Sequence, residues 1–205
     1  MALPKIVQRD LEQASFRTKT AAKRFSCTIC GNEWDRFIED WAAKCYDFVA
    51  QALGPYQKEP LPEILAIDEA YHASGVNASF APGTGQISLV PSIVCWDPGT
   101  TLEKLTHELI HASLNDFPEG DPFYEEGQVD FSVWVLAHAP IWAGHRDQMI
   151  EAAEFNIKCR RDRALKTETD YDRKRWAGGI YASMAYGPHI IARLRQKKME
   201  GDLTW

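Results

Sequence analysis

The spacing of apolar positions changes several times along the chain, and each change marks an element. Trp34, Phe37, Ile38, Trp41, Cys45, Phe48 and Val49 recur every three or four residues. That is one apolar face of a helix running to about Leu53, where Gly54-Pro55 stops it. The period then shortens. Ile64 to Ile67 reads as a short buried strand, and Ser79–Ala81 and Gln86–Val90 read as two more around the turn Pro82-Gly83-Thr84-Gly85. From Thr100 the helical period returns. Thr100 with Glu103 fits a capping box, and Leu102, Leu105, Leu109 and Ile110 supply the apolar stripe. A breaker-rich loop, Asn115 to Pro122, precedes a helix over Phe123 to about His138, and a further helix is expected over about His145 to Arg163. Lys166–Lys174 reads as a charged, exposed connection. A last helix spans about Trp176 to Lys198, kinked at Gly187-Pro188.

The pattern predicts a single α+β domain over residues 1–205. Within it, 1–25 form a polar helical arm, 26–99 a helix plus a small sheet, and 100–205 a mainly helical half. Composition agrees with a packed globule: 45% of residues are hydrophobic and 25% charged, with seven Trp and nine Phe to fill a core. The net charge of −6 argues against nucleic acid as a partner. No apolar run is long enough to cross a bilayer. Met1–Thr20 alternates charged and apolar residues without an apolar leader core, so a cytoplasmic location is expected. Five cysteines, an odd number in a chain of this length, point away from a disulfide scaffold.

The chemistry concentrates at His107-Glu108-Leu109-Ile110-His111. Residues i and i+4 lie one turn apart on a helical face, so both imidazoles can reach one metal ion. The Glu beside the first His flanks the metal, where it can take a proton from water instead of binding. Three fixed residues also arise by chance; the capped amphipathic helix around them sharpens the signal. The competing reading is a surface helix with two satisfied histidines and a solvated Glu. A catalytic zinc needs a third protein ligand and an open position. Asp116 and Asp121 are candidates, but they lie in the loop directly after the motif. Glu126 is better placed, on the next helix after a loop long enough for the chain to turn back. Asp130 follows one turn later on the same face, where a carboxylate can orient a ligand His by accepting its second N–H. The plain alternative for Glu125 and Glu126 is acid at a helix N-terminus. Leu114 and Phe117 occupy the positions that Gly and His take in a metzincin, which excludes that class.

The run His107–His111 followed by Glu126 and Asp130 resembles the gluzincin branch of zinc metallopeptidases, the thermolysin-like enzymes. Glu126-Gly127 after an aromatic residue also looks like the "EG" helix start of aminopeptidase-type members. The likeness covers about Gln86 to Phe131. The loop between His111 and Glu126 is shorter than in thermolysin, and no large β-domain is present. The resemblance implies a zincin-like fold and a Zn²⁺ cofactor held by His107, His111 and Glu126. It further implies Glu108 as general base and proton shuttle, Asp130 as a supporting partner, and a peptide or protein substrate. It also implies a strand lining the cleft, for which Gln86–Val90 is placed with an ordinary core strand as the equal alternative. A Tyr or His to stabilise the oxyanion is expected on the last helix: Tyr186 first, His189 second, with Tyr181 adjacent. Two other readings stand beside the peptidase: a zincin-like interaction module with a structural metal, and a zinc hydrolase of a non-peptide amide.

Other signals rank lower. Cys27 and Cys30 are half of a zinc knuckle, and Cys45, Cys95 and Cys159 are too scattered to complete it. His138 and His145 flank Ala139–Trp142 and are expected to pack at a helix–helix turn. His72 has no assigned role. The basic run Lys158–Arg163 reads as a solvated face.

Overall fold

The structure is a computed structural model describing residues 32–56, 63–66, 77–90, 97–114, 121–166 and 169–201. It is mainly helical, with one small sheet, compatible with the α+β expectation. Helix α1 is Asn32–Leu53. Strands β1 (Glu63–Ala66), β2 (Ala78–Ala81) and β3 (Gln86–Leu89) follow. Then come α2 (Pro98–Leu114), α3 (Pro122–Ala137), α4 (Arg146–Lys166), α5 (Asp170–Ala185) and α6 (Ile190–Glu200). The expected arm at 1–25 lies outside the described residues.

On α1 the expected face is the buried one. Ile38, Trp41, Ala42, Cys45, Phe48, Val49 and Leu53 all enter the core. Trp142, from the short 3₁₀ turn Pro140–Trp142, stacks on Trp41 at 5.9 Å between ring centroids and meets Phe48 edge-on at 5.3 Å. Its indole N–H donates to the Leu136 carbonyl at 2.7 Å, so the buried ring leaves no polar atom unsatisfied. Gly54 ends α1 at φ +90°, a conformation that a Cβ would penalise.

In the sheet the strand order is β1-β3-β2, with β1 parallel and β2 antiparallel to β3. The register pairs Ile87 with Ile64 on one side and Phe80 on the other. The β2–β3 turn closes through Gly85 N–H to the Ala81 carbonyl at 2.8 Å, with Gly85 at φ +68°. Of the two readings of Gln86–Val90, the order selects the core strand: it contains the central strand, its backbone used on both sides, with β1 and β2 as the edges among the described residues.

Helix α2 is enclosed by α1, the sheet, α3 and α4. Nearly every residue from Gly99 to Leu114 is buried, including Thr101, Glu103, Lys104, Thr106, His107, Glu108, His111 and Ser113. Polar groups removed from water require partners. The helix start supplies some, though not through the expected capping box. Asp97 accepts from Gly99 N–H at 3.2 Å, Thr100 N–H at 2.8 Å and the Thr100 hydroxyl at 2.6 Å. Glu103 instead pairs with Lys104 at 2.8 Å and accepts from Asn156 at 3.2 Å. At the other end, Lys198 of α6 donates to Ser113 Oγ at 2.8 Å and to the Gly54 carbonyl at 2.9 Å.

Two helix boundaries differ from the sequence reading. Asp170–Lys174 is the first turn of α5, capped at Thr169, and not part of an exposed connection. The expected final helix is two helices. The chain leaves α5 at Tyr186 (φ −122°), passes the 3₁₀ turn Gly187–His189 with Gly187 at φ +52°, and restarts as α6. Pro188 supplies no N–H, and the positive φ before it turns the kink into a break.

Candidate metal centre

The helical repeat places His107 and His111 on one face of α2, ring centroids 4.9 Å apart and Nε2 atoms 3.2 Å apart. Asp121 starts α3 by accepting the Phe123 N–H at 3.1 Å, with Pro122 at the first helical position. Glu126 then lies one turn in and faces the two rings. Its Oε2 is 3.2 Å from His107 Nε2, and its Oε1 is 3.2 Å from His111 Nε2. One ligand atom from each of the three residues lies within 4.8 Å of the others. The spacing is informative. With metal–nitrogen bonds of about 2.0–2.1 Å, the edge of a tetrahedral coordination shell is about 3.3 Å. The 3.2 Å edge between the two ring nitrogens matches it, each Glu126 oxygen lies 3.2 Å from a different ring, and a donor set of two imidazoles and a carboxylate suits zinc.

Electrostatics favour a cation at this point. Burial acts to lower the His107 pKa, but Asp130 and Glu126 outweigh it and raise it to about 10. Burial likewise opposes the charge on His111, and Glu126 again overrides it. Glu126 itself is held well below the usual carboxylate range, because His111 and Arg175 overcome the cost of burial. The Glu126 and Asp130 carboxylates are what favour positive charge here.

Behind the cluster is a second layer of polar contacts. Asp130 Oδ1 faces His107 Nδ1 at 3.3 Å, an ion pair without hydrogen-bond alignment. Asp130 is gripped by Arg175 in a fork, Nε to Oδ2 at 2.6 Å and Nη2 to Oδ1 at 2.7 Å, and accepts from Asn156 at 2.9 Å. Arg175 Nη1 also reaches Glu126 Oε2 at 2.8 Å and hydrogen-bonds the Tyr171 hydroxyl. One guanidinium thus ties the third candidate ligand to the residue behind the first. Burial would raise the Asp130 pKa; Arg175 reverses this and holds it far below the normal range. Glu103, His107 and Asp130 form a second grouping able to hold a metal ion, but Arg175 and Asn156 already occupy Asp130, and Lys104 occupies Glu103.

Arg175 was not visible in the sequence reading, nor was the device that delivers it. At Gly127 a Cβ would fall 1.7 Å from the Arg175 carbonyl oxygen, and at Gly178 1.9 Å from the Tyr124 carbonyl oxygen. Helices α3 and α5 cross backbone to backbone at these glycines. Glycines at 127, 178 and 179 were the available signal for a close crossing.

In front of the cluster is a cavity of about 690 Å³. It is walled by Asn77–Phe80, by Lys104, His107, Glu108 and His111 of α2, by Pro122, Glu125 and Glu126, by Arg160 and Arg163 of α4, and by Tyr171, Asp172 and Arg175 of α5. Glu108 is 6% exposed and borders the cavity beside both rings. Burial raises its pKa more than His107 and His111 lower it.

Several expectations are corrected at this point. β2, not Gln86–Val90, lines the cavity. Tyr181, Tyr186 and His189 are not among its lining residues; the Tyr181 and Tyr186 hydroxyls face each other at 3.3 Å, and His189 is in the 3₁₀ turn. Tyr171 is the tyrosine at the cavity among the described residues. Arg160 and Arg163, read as a solvated face, border it too. Asp121 is exposed and pairs with Lys174 at 2.8 Å, so it is a cap and not a ligand. Asp116, His72, Cys27, Cys30 and Cys95 lie outside the described residues. Cys45 is a buried free thiol that burial pushes up to about 12, and Cys159 is free and half-buried. His138 donates to the Trp134 carbonyl at 2.8 Å, and His145 packs against Phe37 and Trp41, both in the expected structural role. No described helix is long and apolar enough to cross a membrane.

Comparison with known protein families, curated proteins and solved structures finds no match to this chain.

Proposed function

We propose that this chain is a zinc-dependent metallopeptidase of the zincin-like type, with His107, His111 and Glu126 as metal ligands. The observation that carries the reading is the convergence of one ligand atom from each of these side chains to within 4.8 Å, with Glu108 beside them on the wall of a cavity of about 690 Å³. Zinc held there would supply Lewis acidity, polarising the scissile carbonyl and acidifying the attacking water. Glu108 takes the proton from that water and passes it to the leaving amine, so one carboxylate serves as base and then as acid. Asp130, 3.3 Å from His107 Nδ1, is placed to orient that ring so that its Nε2 would be the ligand atom. Tyr171, whose hydroxyl is engaged by Arg175, replaces Tyr186 and His189 as the residue to support the developing oxyanion. The edge strand β2 offers backbone groups to an extended peptide along the cavity wall.

The test combines metal analysis with turnover. The purified chain should contain one zinc and cleave members of a random peptide pool. Glu108→Gln should keep the zinc and lose at least about 10²-fold in rate. A Glu108→Gln protein that retains full hydrolysis would end this reading.

A further inference from the structure

Along one face, α4 changes character. Met149 and Ala153 are buried in the core. Continuing at helical spacing, the same face presents Asn156, Arg160 and Arg163. Asn156 bridges Asp130 and Glu103 behind the metal cluster, and Arg160 and Arg163 stand at the cavity in front of it. Two of the other cations bordering the cavity are committed to partners seen here. Lys104 pairs with Glu103, and Arg175 is locked between Asp130 and Glu126. Arg160 differs: its Nε is buried with no hydrogen-bond partner among the described residues. A guanidinium donor shielded from water and left unpaired is costly, and a planar anion answers it in a fork geometry. Glu125 and Asp172 are buried on the α3 and α5 walls, which confines the favourable place for negative charge to the α4 side.

We propose that Arg160, with Arg163 beside it, forms a carboxylate-recognition subsite in this cavity. The substrates are then peptides carrying a carboxylate near the scissile bond, from an acidic side chain or a free C-terminus. This rests on the hydrolytic reading of the neighbouring cluster. The Arg fork binds the carboxylate through paired N–H···O⁻ bonds, and the shape of the guanidinium, not its charge alone, sets the preference.

The experiment measures binding, so it is independent of turnover. Zinc-loaded Glu108→Gln protein is titrated against three pools of octapeptides, randomised over uncharged residues and labelled with an uncharged coumarin. The first pool has a central Glu and an amidated end, the second a central Gln and an amidated end, and the third a central Gln and a free C-terminal carboxylate. The expected result is that the Glu or the free-acid pool binds at least tenfold tighter than the neutral pool, the tighter of the two identifying the source. Arg160→Gln should erase the preference, and Arg160→Lys should restore only part of it, with zinc content unchanged in both. Equal binding of all pools, or a preference that survives Arg160→Gln, overturns the proposal. So does loss of the preference in Lys158→Gln with none in Arg163→Gln, because Lys158 does not border this cavity but a separate one of about 400 Å³, which Arg160 also lines. If the wild-type chain cleaves nothing while the binding preference holds, the peptidase reading falls and the subsite stands; cleavage without preference has the opposite meaning.

Discussion

Replacing Gly127 by Ala sets two effects of opposite sign against each other at the crossing of α3 and α5. By helix propensity alone, Ala in place of an interior helical Gly stabilises by about 0.5–1 kcal/mol. Packing works against it. The new Cβ would lie 1.7 Å from the Arg175 carbonyl oxygen and 2.6 Å from the Gly179 nitrogen, both backbone atoms that no rotamer change can move. Reaching an ordinary contact distance requires the helices to part by about 1.7 Å. Overpacking of this kind costs about 1–3 kcal/mol. The same displacement draws the Arg175 guanidinium from the 2.6–2.8 Å contacts it makes with Asp130 and Glu126. Breaking a buried ion pair costs about 3–5 kcal/mol, so even its partial loss leaves packing ahead of propensity. A net destabilisation of about 2–4 kcal/mol is expected, seen as a lower urea midpoint at unchanged slope, together with a zinc affinity about 10- to 100-fold weaker. Gly83→Ala is the control: its Cβ meets nothing within 4 Å, and its effect should stay within about 0.5 kcal/mol. A Gly127→Ala chain as stable as the original, with full zinc affinity, would refute the idea that this crossing sets the position of Arg175.

Other expectations follow from the same contacts. Arg175→Met leaves the Asp130 carboxylate buried without its cation and should destabilise by about 3–5 kcal/mol; removing the stranded charge as well, in Arg175→Met/Asp130→Leu, should recover part of that by denaturant titration. Zinc at about 1,000 times its dissociation constant should add about 4 kcal/mol to the stability of the metal-free protein, reversed by a chelator, while Glu126→Gln should abolish most of that gain in a calorimetric scan. Lys198 tests the packing of α6. Burial lowers its pKa from the ordinary 10.5 to about 8, so between those values the unfolded chain holds a proton that the folded chain has released. The stability of the wild type relative to Lys198→Met should therefore be flat below about pH 8 and rise with pH from there to about 10.5. A difference that falls across that window would show that the ammonium is favoured, not penalised, in its place between Gly54 and Ser113.

How far the sequence reading reached depends on the range of each interaction. The α1 face, the β2–β3 hairpin, the motif helix and α3 were all legible, because each rests on contacts within a few residues. The pairing of His107 with His111, and of Glu126 with Asp130, follows from the same one-turn repeat. The capping box failed because Asp97, just upstream, caps the Gly99 and Thr100 N–H groups, so the helix starts at Pro98 and Thr100 lies inside its first turn, its hydroxyl donating to Asp97. Tyr186 and His189 were misplaced because a continuous helix to Lys198 would have carried them along one axis, and the break after Ala185 does not.

By itself, then, the order of residues determined which helical faces are apolar, and that two imidazoles and two carboxylates each share a face. Those are consequences of backbone periodicity, which needs no knowledge of where other elements lie. Tertiary structure alone decided that Arg175, 45 residues from Asp130, would join it to Glu126. It also decided that β3 is the central strand, and that Arg160 borders the cavity. Each of these depends on how closely two elements approach and in what order strands pair, and those are settled by packing the whole chain around α2.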